Sequence, residues 1–510
     1  MMKRKTIKKW TLGIILIVIT VSIVSWIGIK SQINHHLGKK TERVNTSKFN
    51  IISKPIAIKN ISTLVPDCSQ MLDSMTVLIN DGKIINIGKD INITSDYKIV
   101  DGTGKFLIPG LVDTHVHLHE SKNDLLLFLA NGVTHISEMF GNETHLKWRN
   151  EAEKGALSPK IFVATRKVGS QKGLMRKIKS RYFGSQVNFT SPKNARKAVR
   201  AFRDEGYDAI KLSTFLNENI YNALTDEAKK QNIPTVGHLT SKVGLKGLQT
   251  SGQSQLAHIE EITKNTMRDF GGMDSSNTEE YLAYLRKNAN AIAIKLKEID
   301  MVVSSTVYII ESIPKQNFDI VNFLKTIELA YQNPGEIEGS NFSKGWLPGN
   351  NSYENMDIKD DIELTEKHKL FWKTYVTAIH IMAKALIDNG VTITTGTDSN
   401  TAGVVSGFSL HDEFESLYNC GMTNSQILYA ATVAPAKWMQ SNAGKIKANY
   451  RADLIILDKN PLEDIKNTRT INSVIFNGKL LDRKALNNLL QSVKEANNRS
   501  RKISIDNYRN

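Results

Sequence analysis

The sequence predicts an α/β protein: a TIM-type (β/α)8 barrel with a small composite β-sandwich domain, behind an N-terminal transmembrane helix. Three observations lead there. An uncharged apolar run lies near the N-terminus, β-like segments flank a long central stretch, and that stretch alternates eight apolar strand-like segments with helical ones.

The chain has 510 residues, which suits one large barrel plus a smaller domain better than several small modules. At 40% hydrophobic and 23% charged residues its composition is that of a globular protein, and no repeat of fixed period is present. The formal charge is +16, from 67 Lys plus Arg against 51 Asp plus Glu. Part of the excess is terminal: Lys3, Arg4, Lys5, Lys8 and Lys9 precede the apolar run, and the last thirty residues are basic. No helix-turn-helix, zinc-finger or RNA-binding signature surrounds these residues. No nucleic acid is therefore expected, and a solvated basic surface beside anionic lipid is the simpler reading. Cys68 and Cys420 lie far apart with no Cys-x-x-Cys spacing, which excludes a disulfide framework and disfavours a cysteine zinc site.

Residues 10–29, "WTLGIILIVITVSIVSWIGI", carry no charge and match the length a helix needs to cross a bilayer core. Trp10 and Trp26 lie near the two ends, where indoles favour the interface, and the preceding basic residues favour a cytoplasmic N-terminus. A signal peptide has a shorter apolar region and an Ala-x-Ala-like site, which "SWIGIKSQ" does not offer. An uncleaved single-pass anchor in a bacterial cell envelope is expected, with the catalytic part extracytoplasmic; secretion after cleavage is the alternative.

Residues 30–53 read as a polar linker. From 54 to 108 come β-like runs, with "NDGK" between two of them as a hairpin signal. The barrel spans 109–440. Its strands are read in "GLVDTHVHL", "GVTHISEM", "KIFVAT", "DAIKLST", "PTVGHLT", "SQLAHIE", "MVVSSTVY" and "VTITTGTDS". Helices are expected at 193–206, 217–231 and 368–389, from apolar residues at 3–4 spacing. The largest insertion, near 312–366, is loop-rich and placed to cover the mouth. Residues 441–482 return to β character and complete the sandwich. Residues 483–510 read as a charged helical tail without a clear apolar stripe.

Barrel enzymes place their chemistry at the C-terminal strand ends. His115 and His117 end the first strand, two apart and so on one face. Lys211 lies in the fourth, His238 ends the fifth, His258 the sixth and Asp398 the eighth. Singly, each has an ordinary explanation: a core histidine, a helix-capping aspartate, a structural lysine. Together they form six groups of ligand type converging on one mouth.

"FLIPGLVDTHVHL", "GHLTS", "LAHIEE" and "TTGTDS" resemble the amidohydrolase superfamily. "LLFLANGVTHISEMFG", "LHDEFESLYNCGMTNSQILYAATVAPAKWM" and "GKIKANYRADLIILDKNPLED" look like its imidazolonepropionase-like and Xaa-Pro dipeptidase-like branch. The resemblance covers roughly residues 54–482. It implies two divalent metal ions, zinc being expected. His115 and His117 would bind the buried ion, His238 and His258 the more exposed one, and a carboxylated Lys211 would bridge them. Asp398 would bind the buried ion and act as general acid/base. Histidine nitrogen and carboxylate oxygen suit zinc and its neighbours, and a carboxylate beside an activated water can carry its proton.

One departure follows the second strand. Where many relatives carry an Arg-Asp-like pair, this chain has Ser137 and Glu138. His119 and Tyr308 are candidate substrate contacts, each with a plainer alternative: a solvent-facing or supporting histidine, and a core aromatic. His135 and His145 are near the mouth by strand order and have no assigned role.

The expected reaction is hydrolysis of an amide or peptide C–N bond by a metal-activated water, with a dipeptide or cyclic amide as candidate substrates. By class, the expectation is a metal-dependent hydrolase of carbon–nitrogen bonds, set apart from peptide-bond and dipeptidase enzymes. A mononuclear deaminase is disfavoured, because "LTSKV" after His238 lacks the acid that deaminases of this superfamily carry. A catalytically silent, anchored metal- or ligand-binding protein is the rival from another class. Partners expected are a small-molecule or short-peptide substrate and the membrane, with homo-oligomerisation open.

Overall fold

The computed structural model describes residues 2–49, 51, 54–171, 173, 186–354 and 361–508. Strands Met71–Asn80 and Lys83–Gly88 form the hairpin that "NDGK" predicts. Asp81 and Gly82 both take positive φ, as a two-residue turn matching the strand twist requires. The hairpin belongs to an eight-stranded mixed sheet. Its path runs Lys479–Leu481, Ile471–Phe476, Leu454–Leu457, Phe106–Pro109, Ile56–Leu64, Met71–Asn80, Lys83–Gly88, with Lys98–Asp101 also paired to Ile56–Leu64. The early and late segments of the chain meet where Leu454–Leu457 lies antiparallel to Phe106–Pro109.

All eight central strands form, and all their pairings are parallel. Leu111–Val116, Val133–Glu138 and Lys160–Val163 make one sheet. Ile210–Leu212, Thr235–Gly237, Gln255–Ala257, Val302–Ser304 and Thr392–Thr394 run side by side in a second, extended by the two-residue strands Val168–Gly169 and Val187–Asn188. Single bridges connect the sheets, Ala164 to Ala209 and Val116 to Ser399. The expected barrel is thus not one unbroken ladder. The short strands are buried on both faces, which explains their near-continuous apolar runs. Helices Pro192–Asp204, Glu218–Lys230 and Ile362–Asp388 fall where expected, each started by a side-chain cap from Ser191, Asn217 or Asp361.

Three segments differ from their sequence reading. The insertion is more than loop: Val307–Phe318, Ile320–Lys325 and Pro334–Glu338 are helices, and Ile337 and Trp346 pack with Ala402 and Val405. Residues 355–360, within that expected insertion, lie outside the described residues. Helix Arg483–Ser500 buries Leu486, Leu489, Val493 and Ala496, a stripe at 3–4 spacing, and packs on helix Asp124–Ala130. Among the described residues of 30–53, helix Met2–His36 continues to its end, and the chain then folds onto the body. Thr41 Oγ1 donates to Asn333 Oδ1 at 2.8 Å, and the Val44 amide donates to Asn123 Oδ1 at 3.0 Å. The side chains from Trp10 to Gly28 are exposed along a helix long and apolar enough to cross a membrane.

Candidate metal centre

Five of the six groups stand at the carboxyl ends of the parallel strands or just beyond, and Lys211 lies within one. His115 is in Leu111–Val116, and His117 follows it. Lys211 sits mid-strand in Ile210–Leu212. His238, His258 and Asp398 follow Thr235–Gly237, Gln255–Ala257 and Thr392–Thr394. Nε2 of His117 lies 2.9 Å and Nε2 of His115 3.4 Å from Oδ1 of Asp398. Nζ of Lys211 lies 3.2 Å from His115 Nε2. The His258 ring centroid is 4.4 Å from that of His115 and 5.2 Å from that of His238. Ligand atoms of His115, His258 and Asp398 all lie within 4.8 Å of one another, close enough to share an ion.

The donor set fits a divalent metal. Nδ1 of His115 and Nδ1 of His238 are buried without a hydrogen-bond partner among the described residues, a costly state for a polar atom in an ordinary core. Burial, reinforced by the charge of Lys167, pushes Lys211 down to about 7, near neutrality as an amine. Burial, followed by Lys211, holds His115 well below the imidazole range, and burial, followed by Lys167, does so for His238. His258 is pushed down to about 3, again by burial, against the pull of Asp398. For Asp398 burial works in the opposite sense, yet the hydrogen bond from His117 and the nearby imidazoles keep it well below the carboxylate range. Neutral imidazoles and an ionised carboxylate are the forms that bind metal.

The backbone at these strand ends is unusual. His258, Thr306 and Asp398 take positive φ, where β-branched and bulky residues are rare, and such strain gathers at functional sites. It is held by specific bonds. Thr306 Oγ1 lies 2.8 Å from His258 Nδ1, leaving Nε2 for a ligand. The Asp398 amide donates to His115 O at 2.8 Å, and Asn400 Nδ2 donates to His117 O at 2.6 Å.

Glu138, which marks the departure after the second strand, is fully buried. Its two oxygens accept the amides of Leu118 at 2.5 Å and Phe140 at 2.6 Å. It therefore ties down the chain just past His117. Neither Glu138 nor Thr306 was singled out as a functional residue from sequence. Lys167, just after the third strand in "TRKVG", is a third such residue, and its charge bears on both Lys211 and His238.

His119 is not left to solvent. Its Nδ1 lies 2.5 Å from Glu336 Oε1 on the short helix Pro334–Glu338, and its ring stacks on His117 at 6.3 Å. Burial opposes protonation of His119, but the Glu336 carboxylate prevails and pushes it up to about 9. His145 Nε2 lies 2.6 Å from the His119 carbonyl, so it supports the same turn. The other two aromatic groups lie elsewhere. Tyr308 is buried in the hydrophobic core, with Asp412, Glu328 and Arg469 as its charged neighbours, so the structure does not bring it to the cluster. His135 is early in its strand, 3.7 Å from Asp453, which precedes a strand of the mixed sheet, and so lies away from the mouth. Cys68 and Cys420 are free and buried.

Compared with known families, residues 106–481 match the Amidohydrolase family. The chain belongs to this family. Solved structures share the fold at low identity. A Bifidobacterium longum protein assigned as a prolidase is 20% identical, with a TM-score of 0.58 over 87% of this chain and 99% of its own. A Xaa-Pro dipeptidase with bound methionine is 18% identical, with a TM-score of 0.58 over 84% of this chain and 100% of its own. The bottromycin amidohydrolase is 17% identical, with a TM-score of 0.63 over 91% of this chain and 93% of its own. No curated protein matches the chain. These neighbours correct one expectation. The fold is shared with proteins named for cleaving peptide bonds, so the amidohydrolase family member described here is not set apart from peptide-bond and dipeptidase enzymes.

Proposed function

We propose that this amidohydrolase is a metal-dependent hydrolase of an amide C–N bond, with short peptides as the first substrate class to test. The observation that carries the reading is the fully buried Lys211 amine, 3.2 Å from His115 Nε2 and beside a cluster of four imidazoles and the Asp398 carboxylate. His115, His117 and Asp398 would hold one ion, and His238 and His258 a second. Lys211, as the neutral amine, could add to carbon dioxide and lose a proton, and its carbamate would then supply a carboxylate-type ligand to these ions. Bound metal, zinc first among the candidates, supplies Lewis acidity that polarises the scissile carbonyl and acidifies the attacking water. Asp398 takes the proton of that water and passes it to the leaving nitrogen, the task of a carboxylate kept ionised beside the reacting atoms.

In this reading the two parallel sheets act as one eight-stranded barrel closed by the Val116 and Ala209 bridges. The sandwich is built from 54–108 and 441–482, and His119 contributes to substrate binding. The apolar helix would anchor the chain in a bacterial envelope membrane with its basic residues cytoplasmic and the folded part outside. Fold neighbours named as prolidase and Xaa-Pro dipeptidase support short peptides as the starting class. The test is the purified full chain in detergent, analysed for metal and assayed on Xaa-Pro dipeptides, N-acyl amino acids and cyclic amides. Turnover lost to a chelator and restored by a divalent ion is expected. A protein that holds metal and turns over none of these overturns the reading.

A further inference from the structure

The end of the apolar helix is fixed to the folded part by several independent bonds. His35 Nε2 lies 2.7 Å from Glu338 Oε2, and His36 Nδ1 lies 3.2 Å from the Gly335 carbonyl. Gln32 Oε1 accepts the Asn341 amide at 3.2 Å. A Cβ on Gly335 would meet the His35 carbonyl at 1.8 Å, so the two backbones are in close contact. The folded part therefore has a defined height above the apolar run.

At 1.5 Å per residue, Gln32 stands about 4.5 Å and His35 about 9 Å beyond Ile29 along the helix. The headgroup layer on each side of a bilayer is roughly 5–8 Å deep. Asn341, bonded to Gln32, falls inside that layer, and Glu338, bonded to His35, falls at its outer edge. Each carries an apolar side chain beside it. Phe342 follows Asn341 and is 52% exposed. Ile503 is 47% exposed, and its amide donates to the other oxygen of Glu338 at 3.1 Å. Exposed Lys30, Lys344 and Lys502 accompany them, whereas Glu336 and Glu338 are turned inward onto histidines. The same short helix touches His35 through Glu338 and His119 through Glu336, so this face is on the side of the strand ends that carry the metal-ligand candidates.

We propose that the face carrying Phe342 and Ile503 is a docking surface for an anionic phospholipid bilayer, which sets the strand-end cluster toward the lipid. The inference rests on the reading of residues 10–29 as a membrane anchor. Apolar side chains enter the interface, and the lysines meet phosphate.

The full chain is reconstituted in vesicles of phosphatidylcholine and phosphatidylglycerol with brominated acyl chains. An environment-sensitive fluorophore is placed in separate variants Thr20→Cys, Phe342→Cys and Asp204→Cys. Position 204 ends helix Pro192–Asp204 at the opposite, amino-terminal end of the strands, and the native cysteines are buried. Expected are strong quenching at 20 and quenching at 342 several-fold above that at 204. Omitting phosphatidylglycerol or raising salt should weaken quenching at 342 and leave 20 unchanged. Quenching at 20 without excess at 342 keeps the anchor and overturns the docking surface. No quenching at 20 overturns both. A fluorophore at 342 already buried in detergent points to a second copy of the chain and overturns lipid as the occupant. Quenching at 342 indifferent to phosphatidylglycerol overturns the requirement for anionic lipid.

Discussion

Lys211 holds its amine 3.2 Å from Nε2 of His115 and is fully buried, and among the described residues no carboxylate forms an ion pair with it. An unmodified ammonium there would face imidazole nitrogens, which is why its neutral or carbamate form fits. Replacing it tests the second ion. Lys211→Ala should bind at most one metal and lose turnover by about 100-fold or more, given what a two-metal site contributes. Metal analysis and a turnover assay of the variant read these, and carbon-13 NMR of wild type supplied with labelled bicarbonate detects the carbamate. Full metal content in the variant would remove Lys211 from the ligand set.

Asp398 separates catalysis from binding. Its Oδ1 lies 2.9 Å from His117 Nε2 and 3.4 Å from His115 Nε2. Asp398→Asn keeps the shape and an oxygen but removes the proton acceptor. Turnover should fall by roughly 10²–10⁴, the span of general acid–base catalysis, with metal retained. Unchanged turnover in the variant would remove Asp398 as the proton carrier.

The metal-ligand candidates were legible in the sequence because they are ordered side chains at the ends of apolar strands. Their supports were not. Glu138 and His145 bond to backbone groups of Leu118, Phe140 and His119, and sequence carries no mark of which amide or carbonyl a side chain will find. Tyr308 follows its strand as a substrate contact would, but the helix that begins at Val307 turns its ring into the core. The stripe of Leu486, Leu489, Val493 and Ala496 was hidden by the polar residues between them, Asn487, Asn488, Gln491, Ser492, Lys494 and Glu495. The docking of residues 31–44 depends on Glu338, Asn333 and Asn123, about 80 to 300 positions away, a distance at which local patterns say nothing.

Glu138 leads to a third prediction. Glu138→Gln replaces one acceptor with a donor that must face an amide. Metal affinity should drop by about 10–100-fold, as for loss of a group that orients ligands. Metal titration reads this, and a comparable loss in thermal stability without any loss in affinity would make the residue merely structural.

Two buried histidines outside the metal-ligand candidates, His135 and His411, contribute to the acid limb of stability. Burial pushes His135 down to about 4, against Asp453, and His411 down to about 3. Both are depressed relative to the unfolded chain, so that chain takes up protons first as pH falls. The folded state is favoured in full above about pH 6.5, and the contribution fades as pH drops toward 3–4. Each group adds a slope of at most about 1.4 kcal/mol per pH unit in that window. Thermal melts between pH 7 and 4 should show the midpoint falling, with a shallower fall in His411→Gln. Equal slopes in variant and wild type would exclude His411.

Gly237 brings the fifth strand against the fourth, and it precedes His238. Its φ is +127°, and a Cβ there would lie 2.4 Å from the Leu212 carbonyl oxygen. Gly237→Ala must therefore move backbone, and the nearest backbone is that of the strand holding Lys211. Gly104 provides the comparison: its φ is also positive, at +70°, but none of the described residues lies within 4 Å of its missing Cβ. Gly104→Ala should cost only backbone strain, about 1–3 kcal/mol, with metal affinity unchanged. Gly237→Ala should cost more and should also weaken metal binding, because His238 and Lys211 shift together. Denaturation with and without added metal measures both effects. If metal stabilises the two variants by the same increment, the close approach at Gly237 does not position the ligands.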